Sequence, residues 1–160
     1  MQGNPKVVAA LNDALKEELT AISQYFLHAE MCENWHYGKL GSYIKKQSID
    51  EMKHAESLIE RILFLDGTPN LTELMRLSVG QSVRDQLQSD LTLELNAVAM
   101  YNRLAALARE EGDNISRELF ERLLKDEETH VDWLEAQIHQ IKELGYERYL
   151  SQQIGGEEDD

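Results

Sequence analysis

Two segments of this sequence read Asp-Glu-x-x-His, at Asp50 to His54 and again at Asp126 to His130. On a helix, residues three apart share a face, so Glu51 with His54, and Glu127 with His130, each present a carboxylate and an imidazole in one direction. Two more glutamates stand where apolar residues belong. Glu18 interrupts the stripe Val8, Leu11, Leu15, Ile22, Tyr25, Ala29, and Glu94 interrupts Leu87, Leu91, Val98, Tyr101, Ala105. Four acids in an apolar interior cost several kcal/mol each when unpaired. Two divalent cations would neutralise four charges and satisfy the oxygens and ring nitrogens together. Carboxylate and imidazole ligands without thiolate suit iron or manganese, with zinc also accommodated. The residues therefore point to a two-metal centre built from Glu18, Glu51, His54, Glu94, Glu127 and His130.

Such a centre requires helices that bring the six side chains to one level. Asn4 and Pro5 form a helix start, and apolar periodicity continues to about Trp35. Gly38 and Gly41 mark a short turn. A second helix is expected from about residue 40 to Leu65, ended by Asp66-Gly67-Thr68-Pro69-Asn70. After a long connection to about Gly80, a third helix is expected over about Ser82 to Glu111. Gly112-Asp113-Asn114 makes another short turn. A fourth helix then runs from about Ile115 to Leu144, and Gly145 ends it. Tyr146 to Ile154 reads as a short fifth helix and Gly155 to Asp160 as an acidic tail. The expected organisation is thus a bundle over 1–145, a short helix over 146–154 and a tail over 155–160.

Short turns make antiparallel pairs of helices one and two, and of helices three and four. A helix of about 27 residues is about 40 Å long, and about 15 extended residues reach about 50 Å. The middle connection can therefore run the length of the bundle. The fold class is all-α: a four-helix bundle with a long crossover between helices two and three. The halves also repeat at one offset, the one that carries Glu51 to Glu127, which implies an approximate two-fold axis. All six candidate ligands then lie near mid-bundle.

The chain has 160 residues and a formal net charge of −14. One domain with a real core fits that length, and the charge argues against nucleic acid as a partner, because phosphates would be repelled. Cys32 is the only cysteine, so no intrachain disulfide can form and a reducing compartment is the expectation. Met1-Gln2-Gly3-Asn4-Pro5-Lys6 has no apolar h-region and no cleavage signal, so no leader is expected, and no apolar run is long enough to span a bilayer. The expected location is cytoplasmic, with no membrane partner.

Around the centre, Tyr25 and Tyr101 follow Glu18 and Glu94 by one heptad on the same stripes. Each hydroxyl is placed to bond a ligand carboxylate or to act as a one-electron donor, or is simply a satisfied core tyrosine. Asp50 and Asp126 stand next to the paired glutamates, in position to orient a histidine or to remain solvated. Met52 lies about 100° round the helix from Glu51 and faces away from the metals. Spacing alone makes it an apolar residue at a subunit contact.

Several segments resemble bacterioferritin: Ser23-Gln24-Tyr25-Phe26-Leu27-His28-Ala29, Ser48-Ile49-Asp50-Glu51-Met52-Lys53-His54-Ala55, Ile59-Glu60-Arg61-Ile62-Leu63-Phe64-Leu65, Asp90-Leu91 with Leu93-Glu94, and Asp126-Glu127-Glu128 with His130. The resemblance covers nearly the whole chain. It implies a ferritin-like bundle with a ferroxidase centre of two Fe ions per subunit. Glu18 and His54 would hold one iron, Glu94 and His130 the other, and Glu51 and Glu127 would bridge. It implies iron storage and detoxification: oxidation of Fe(II) by O₂ or H₂O₂, with ferric mineral kept in a hollow homo-oligomer of 24 subunits. It further implies haem b shared between two subunits, with Met52 of each as axial ligand and Leu19, Ile22, Phe26 and Ile49 as apolar surroundings, and a small ferredoxin as reductant. The sequence departs from the family at Lys45 and Lys46, where Tyr and His are frequent, and at Tyr101, which makes the centre more symmetrical, as in rubrerythrin-like proteins. From the residues alone, two alternatives stay open: a rubrerythrin-like di-iron peroxidase without storage, and a non-enzymatic haem-binding bundle with zinc at its acidic centre.

Overall fold

The computed structural model describes residues 1–156, so the last four residues of the expected acidic tail lie outside the described residues. Among the described residues all regular structure is helical: α1 (Pro5–Asn34), α2 (Gly38–Phe64), α3 (Val83–Glu110), α4 (Asn114–Leu144) and α5 (Tyr146–Ser151). Three of the long helices start on a side-chain cap. Asn4 accepts from the Lys6 N–H with Pro5 at the first helical position, Ser82 accepts from the Asp85 N–H, and Asp113 accepts from the Ser116 N–H. Each such cap is worth about 1 kcal/mol. The last of them also ties the bundle together, since Asp113 and Ser116 both accept from the Arg61 guanidinium at 2.9 Å.

The first turn differs from the expectation. Gly38 already belongs to α2 and Gly41 lies within its first turns. The chain reverses earlier, with His36 in the left-handed region at φ 68°. Gly41 answers to packing instead: a Cβ there would stand 3.0 Å from Glu33 Oε1 and 3.1 Å from the Ala29 carbonyl oxygen, so its absence lets α1 and α2 close on each other. At the other end, α5 stops at Ser151 rather than Ile154, and the buried Tyr149 hydroxyl donates to Gln137 of α4 at 2.9 Å.

Between Phe64 and Val83 the chain is a strap laid along α1. Asn12 donates to the Thr68 carbonyl and accepts from the Asn70 N–H. Further along, Thr20 accepts from the Met75 N–H, Gln24 from the Ser78 N–H, and His28 Nε2 from the Gly80 N–H. The strap thus travels parallel to α1 from its beginning to its far end, and α3 starts there and returns antiparallel to α1. Gly80 is required at the landing point, because a Cβ would sit 2.2 Å from the Gln86 nitrogen.

α1 packs against α2, α3 against α4, and α1 meets α3 across the bundle. The apolar core is in two parts. One holds Leu11, Leu15, Leu58, Ile62, Tyr101, Phe120 and Leu123; the other holds Tyr25, Ala29, Ile44, Leu87 and Leu134. On every long helix the step from one part to the other crosses a buried glutamate: Glu18, Glu51, Glu94 or Glu127. A polar layer therefore divides the core at mid-height.

Candidate metal centre

The six side chains singled out by spacing converge in that layer, and all six are buried. Two groups can be drawn whose ligand-type atoms all lie within 4.8 Å of one another: Glu18, Glu51, His54 and Glu127, and Glu51, Glu94, Glu127 and His130. Glu51 and Glu127 belong to both. His54 Nδ1 stands 2.9 Å from Glu127, 3.1 Å from Glu51 and 3.5 Å from Glu18. His130 Nδ1 stands 2.8 Å from Glu51, 3.4 Å from Glu94 and 3.6 Å from Glu127. The two rings stack with centroids 6.3 Å apart.

The donor atoms crowd together without pairing off. Glu51 Oε1 and Glu127 Oε1 meet only the ring nitrogens of His130, at 2.8 Å, and His54, at 2.9 Å, and Glu18 Oε2 and Glu94 Oε2 are buried with no hydrogen-bond partner. Buried polar atoms ordinarily find one. Oxygen and nitrogen lone pairs aimed at common points, in a layer with no lysine or arginine, fit two divalent cations and leave nothing else in the chain to satisfy them.

Electrostatics say the same. Burial, reinforced by Glu51, pushes the Glu18 carboxyl well above its usual range, and burial with Glu127 does so for Glu94. Glu51 behaves oppositely: burial opposes its charge, but contacts with Glu18, His130 and His54 hold it well below the carboxylate range. For both histidines burial opposes the cation, yet the surrounding glutamates, Glu127 foremost, raise them well above their ordinary value. Without metal, protons take the places that cations would fill.

The surrounding residues fall into place unevenly. The Tyr25 hydroxyl donates to Glu94 and the Tyr101 hydroxyl donates to Glu18, a reciprocal exchange across α1 and α3. Burial, followed by the facing carboxylate, raises both phenols well above their normal range, so both stay protonated donors. Asp126 reaches across to His54 Nε2 at 3.0 Å. Its counterpart Asp50 instead faces Lys53 at 3.8 Å. A cleft of about 400 Å³ opens beside both rings on the α2–α4 face, lined by Asp50, Lys53, Ser57, Arg122, Asp126 and Thr129. Met52 is exposed by 55 %, and Ile49 on α2 and Phe26 on α1 are exposed too. Lys45 and Lys46 are exposed as well.

Two features escaped the sequence reading. Asp90 is buried and accepts from Gln24 and from His28 Nδ1, both at 2.9 Å. The other is Glu17, buried with its Oε1 unpartnered. Burial first, then Glu127 and Glu51, raise its pKa to about 7. Within Lys16-Glu17-Glu18 it reads as part of a charged run. The available signal was its place one heptad before Gln24 and three turns before Asp90's other partner, His28.

Comparison with known proteins agrees over almost the full length. The ferritin-like domain family matches residues 8–144. A bacterioferritin of Mycolicibacterium paratuberculosis is 43% identical over 152 residues, covering 95% of this chain and 96% of that protein. One of Streptomyces coelicolor is 46% identical over 151 residues, covering 94% and 90%. Among solved structures, Mycobacterium tuberculosis bacterioferritin BfrA superposes with a TM-score of 0.95 at 41% identity, covering 97% of this chain and 98% of that one.

Proposed function

This chain belongs to the bacterioferritin family, and from that premise we propose that its mid-bundle layer is a ferroxidase centre serving iron storage and detoxification. The observation that carries the reading is the pair of buried ligand groups sharing Glu51 and Glu127. Fe(II) is the substrate and, once oxidised, the cargo. Glu18 with His54 would receive one ion, Glu94 with His130 the other, and the shared glutamates would span both. Paired iron supplies the chemistry: each Fe(II) gives one electron, so that O₂ or H₂O₂ accepts two together.

The protein's part is geometry and charge. Tyr25 and Tyr101 fix the terminal glutamates by donating to Glu94 Oε1 and Glu18 Oε1, the same oxygens that His130 and His54 approach. Asp126 holds the Nε2 proton of His54, which leaves Nδ1 free toward the glutamates. Binding two cations releases the protons that the glutamates and histidines carry, so uptake weakens as pH falls. The cleft beside both rings offers oxidised iron a way off the centre on the α2–α4 face, the face that would line a hollow shell of about 24 subunits in the cytoplasm.

Haem b is part of the same proposal. Each chain offers an exposed thioether on α2 at Met52, with exposed Ile49 and Phe26 as apolar surface. Met52 and its apolar neighbours fit a haem held between two copies, each giving one methionine sulfur, and electrons delivered to it by a small ferredoxin would serve iron release.

The decisive experiment measures rapid Fe(II) oxidation after assembly. Glu51→Ala and His130→Ala each remove a ligand, and both should slow the fast phase by about 100-fold or more, in the range that losing groups around a metal costs. If both variants oxidise iron at the unaltered rate, the layer is not the ferroxidase centre.

A further inference from the structure

Glu17 is the one buried acid at this level that the six-residue centre does not use. It is exposed by only 6 %, and its Oε1 has no partner. It forms no ion pair among the described residues. Its position is a seam rather than the centre. Glu17 lies about 100° round α1 from Glu18, on the line that continues through Ala21 to Gln24 and His28, the two residues that face Asp90 of α3. Ala14 and Ala21, a turn to either side, are small and leave room beside the carboxylate. The strap passes overhead: it is pinned to Asn12 at Asn70 and to Thr20 at Met75, so residues 71–74 cross the stretch of α1 that contains Glu17.

Nothing in the chain rewards a carboxylate there. It has no cation within reach, and Glu127 and Glu51 act on it repulsively. A glutamine of the same shape would avoid the cost of burying an unpaired acid. The group that would reward it is a divalent cation passing along the α1–α3 seam. That seam is on the side of the bundle away from the α2–α4 cleft, so the two sides could carry ions in opposite senses relative to the centre.

We propose that Glu17 is a transit ligand for divalent cations, holding an incoming ion in the α1–α3 seam before it reaches the glutamates of the centre. The inference rests on the di-iron reading and adds a third, weaker position to it. A negative group at a low-dielectric approach raises the local concentration of cations, and removing it slows their arrival without removing their destination.

The test mixes metal-free assembled protein with Co(II) and follows loading by its absorption, alongside the first turnover of Fe(II) oxidation. Glu17→Gln should keep two Co(II) per chain while loading and first turnover both slow by about tenfold. Glu17→Asp, which keeps the charge, should recover most of the rate. The proposal is overturned if Glu17→Gln loads at the unaltered rate. It is equally overturned if that variant binds fewer than two ions, since Glu17 would then position the centre itself. Failure of the unaltered protein to bind two Co(II) would instead sink the di-iron reading, and the transit role with it.

Discussion

Glu17 and Met52 illustrate how burial decides what a side chain does. The folded protein holds a proton on Glu17 up to about pH 7, whereas an unfolded chain releases it near 4.5. Between those values the folded state binds more protons than the unfolded one. Stability from this group is therefore fully present below the unfolded value and is lost as pH rises through about 7. Glu17→Gln should raise the stability of the metal-free protein by about 1–3 kcal/mol at pH 8, and by almost nothing at pH 4.5. Thermal melts at the two pH values check this; an equal shift at both would show that the gain is not protonic. Met52 presents its thioether to solvent instead. Met52→Leu should abolish haem binding in the assembled protein, and Met52→His should retain haem with an altered spectrum. Unchanged haem content in the leucine variant would remove Met52 as the ligand.

Among the elements, the strap depends most on a few contacts. Its backbone has no helix or strand to satisfy it, so side chains of α1 do so at Asn12, Thr20, Gln24 and His28. Because the Gly80 N–H donates to His28 Nε2, the ring proton is on Nδ1 and is given to Asp90. Asp90 thus holds both Gln24 and His28 in the orientation the strap needs. Asp90→Ala would strand two buried donors, at about 1–3 kcal/mol each. Hydrogen exchange should reveal it locally: the amides of Ser78 and Gly80 should exchange at least about tenfold faster, while amides in the middle of α4 change little. Uniform acceleration through the bundle would mean that Asp90 supports the whole fold rather than the strap.

At the scale of the whole molecule, a mid-height layer of acids splits the core, and the apolar clusters on either side must hold the helices in register around it. Four helices contribute to the centre and one strap lets them run in the required directions, so the site and the fold form together. The exposed Phe26, Ile49 and Met52 leave apolar surface that a second copy would cover. Native mass spectrometry should find an assembly of about 24 chains of 18.4 kDa, near 440 kDa. A species no larger than a dimer under the same conditions would be incompatible with a storage shell.

The sequence by itself determined the helices and the crossover, and it marked out the six side chains that meet at mid-height, because they are written in local periodicity: a glutamate on an apolar stripe, and Glu-x-x-His on one face. Repetition at a single offset then placed all six at one height. What the tertiary structure decided were the relations across helices, which no spacing within a helix can encode. Gly41 read as a turn residue until the closeness of α1 at Ala29 and Glu33 gave it a packing role. Asp126 and Asp50 are equivalent in the repeat, yet only Asp126 reaches a histidine, because the contact spans two helices and depends on their relative rotation. Glu17 stands in the charged run Lys16-Glu17-Glu18, which gives no sign of its burial, because burial depends on segments that pack there from elsewhere in the chain, such as the strap pinned at Asn12 and Thr20.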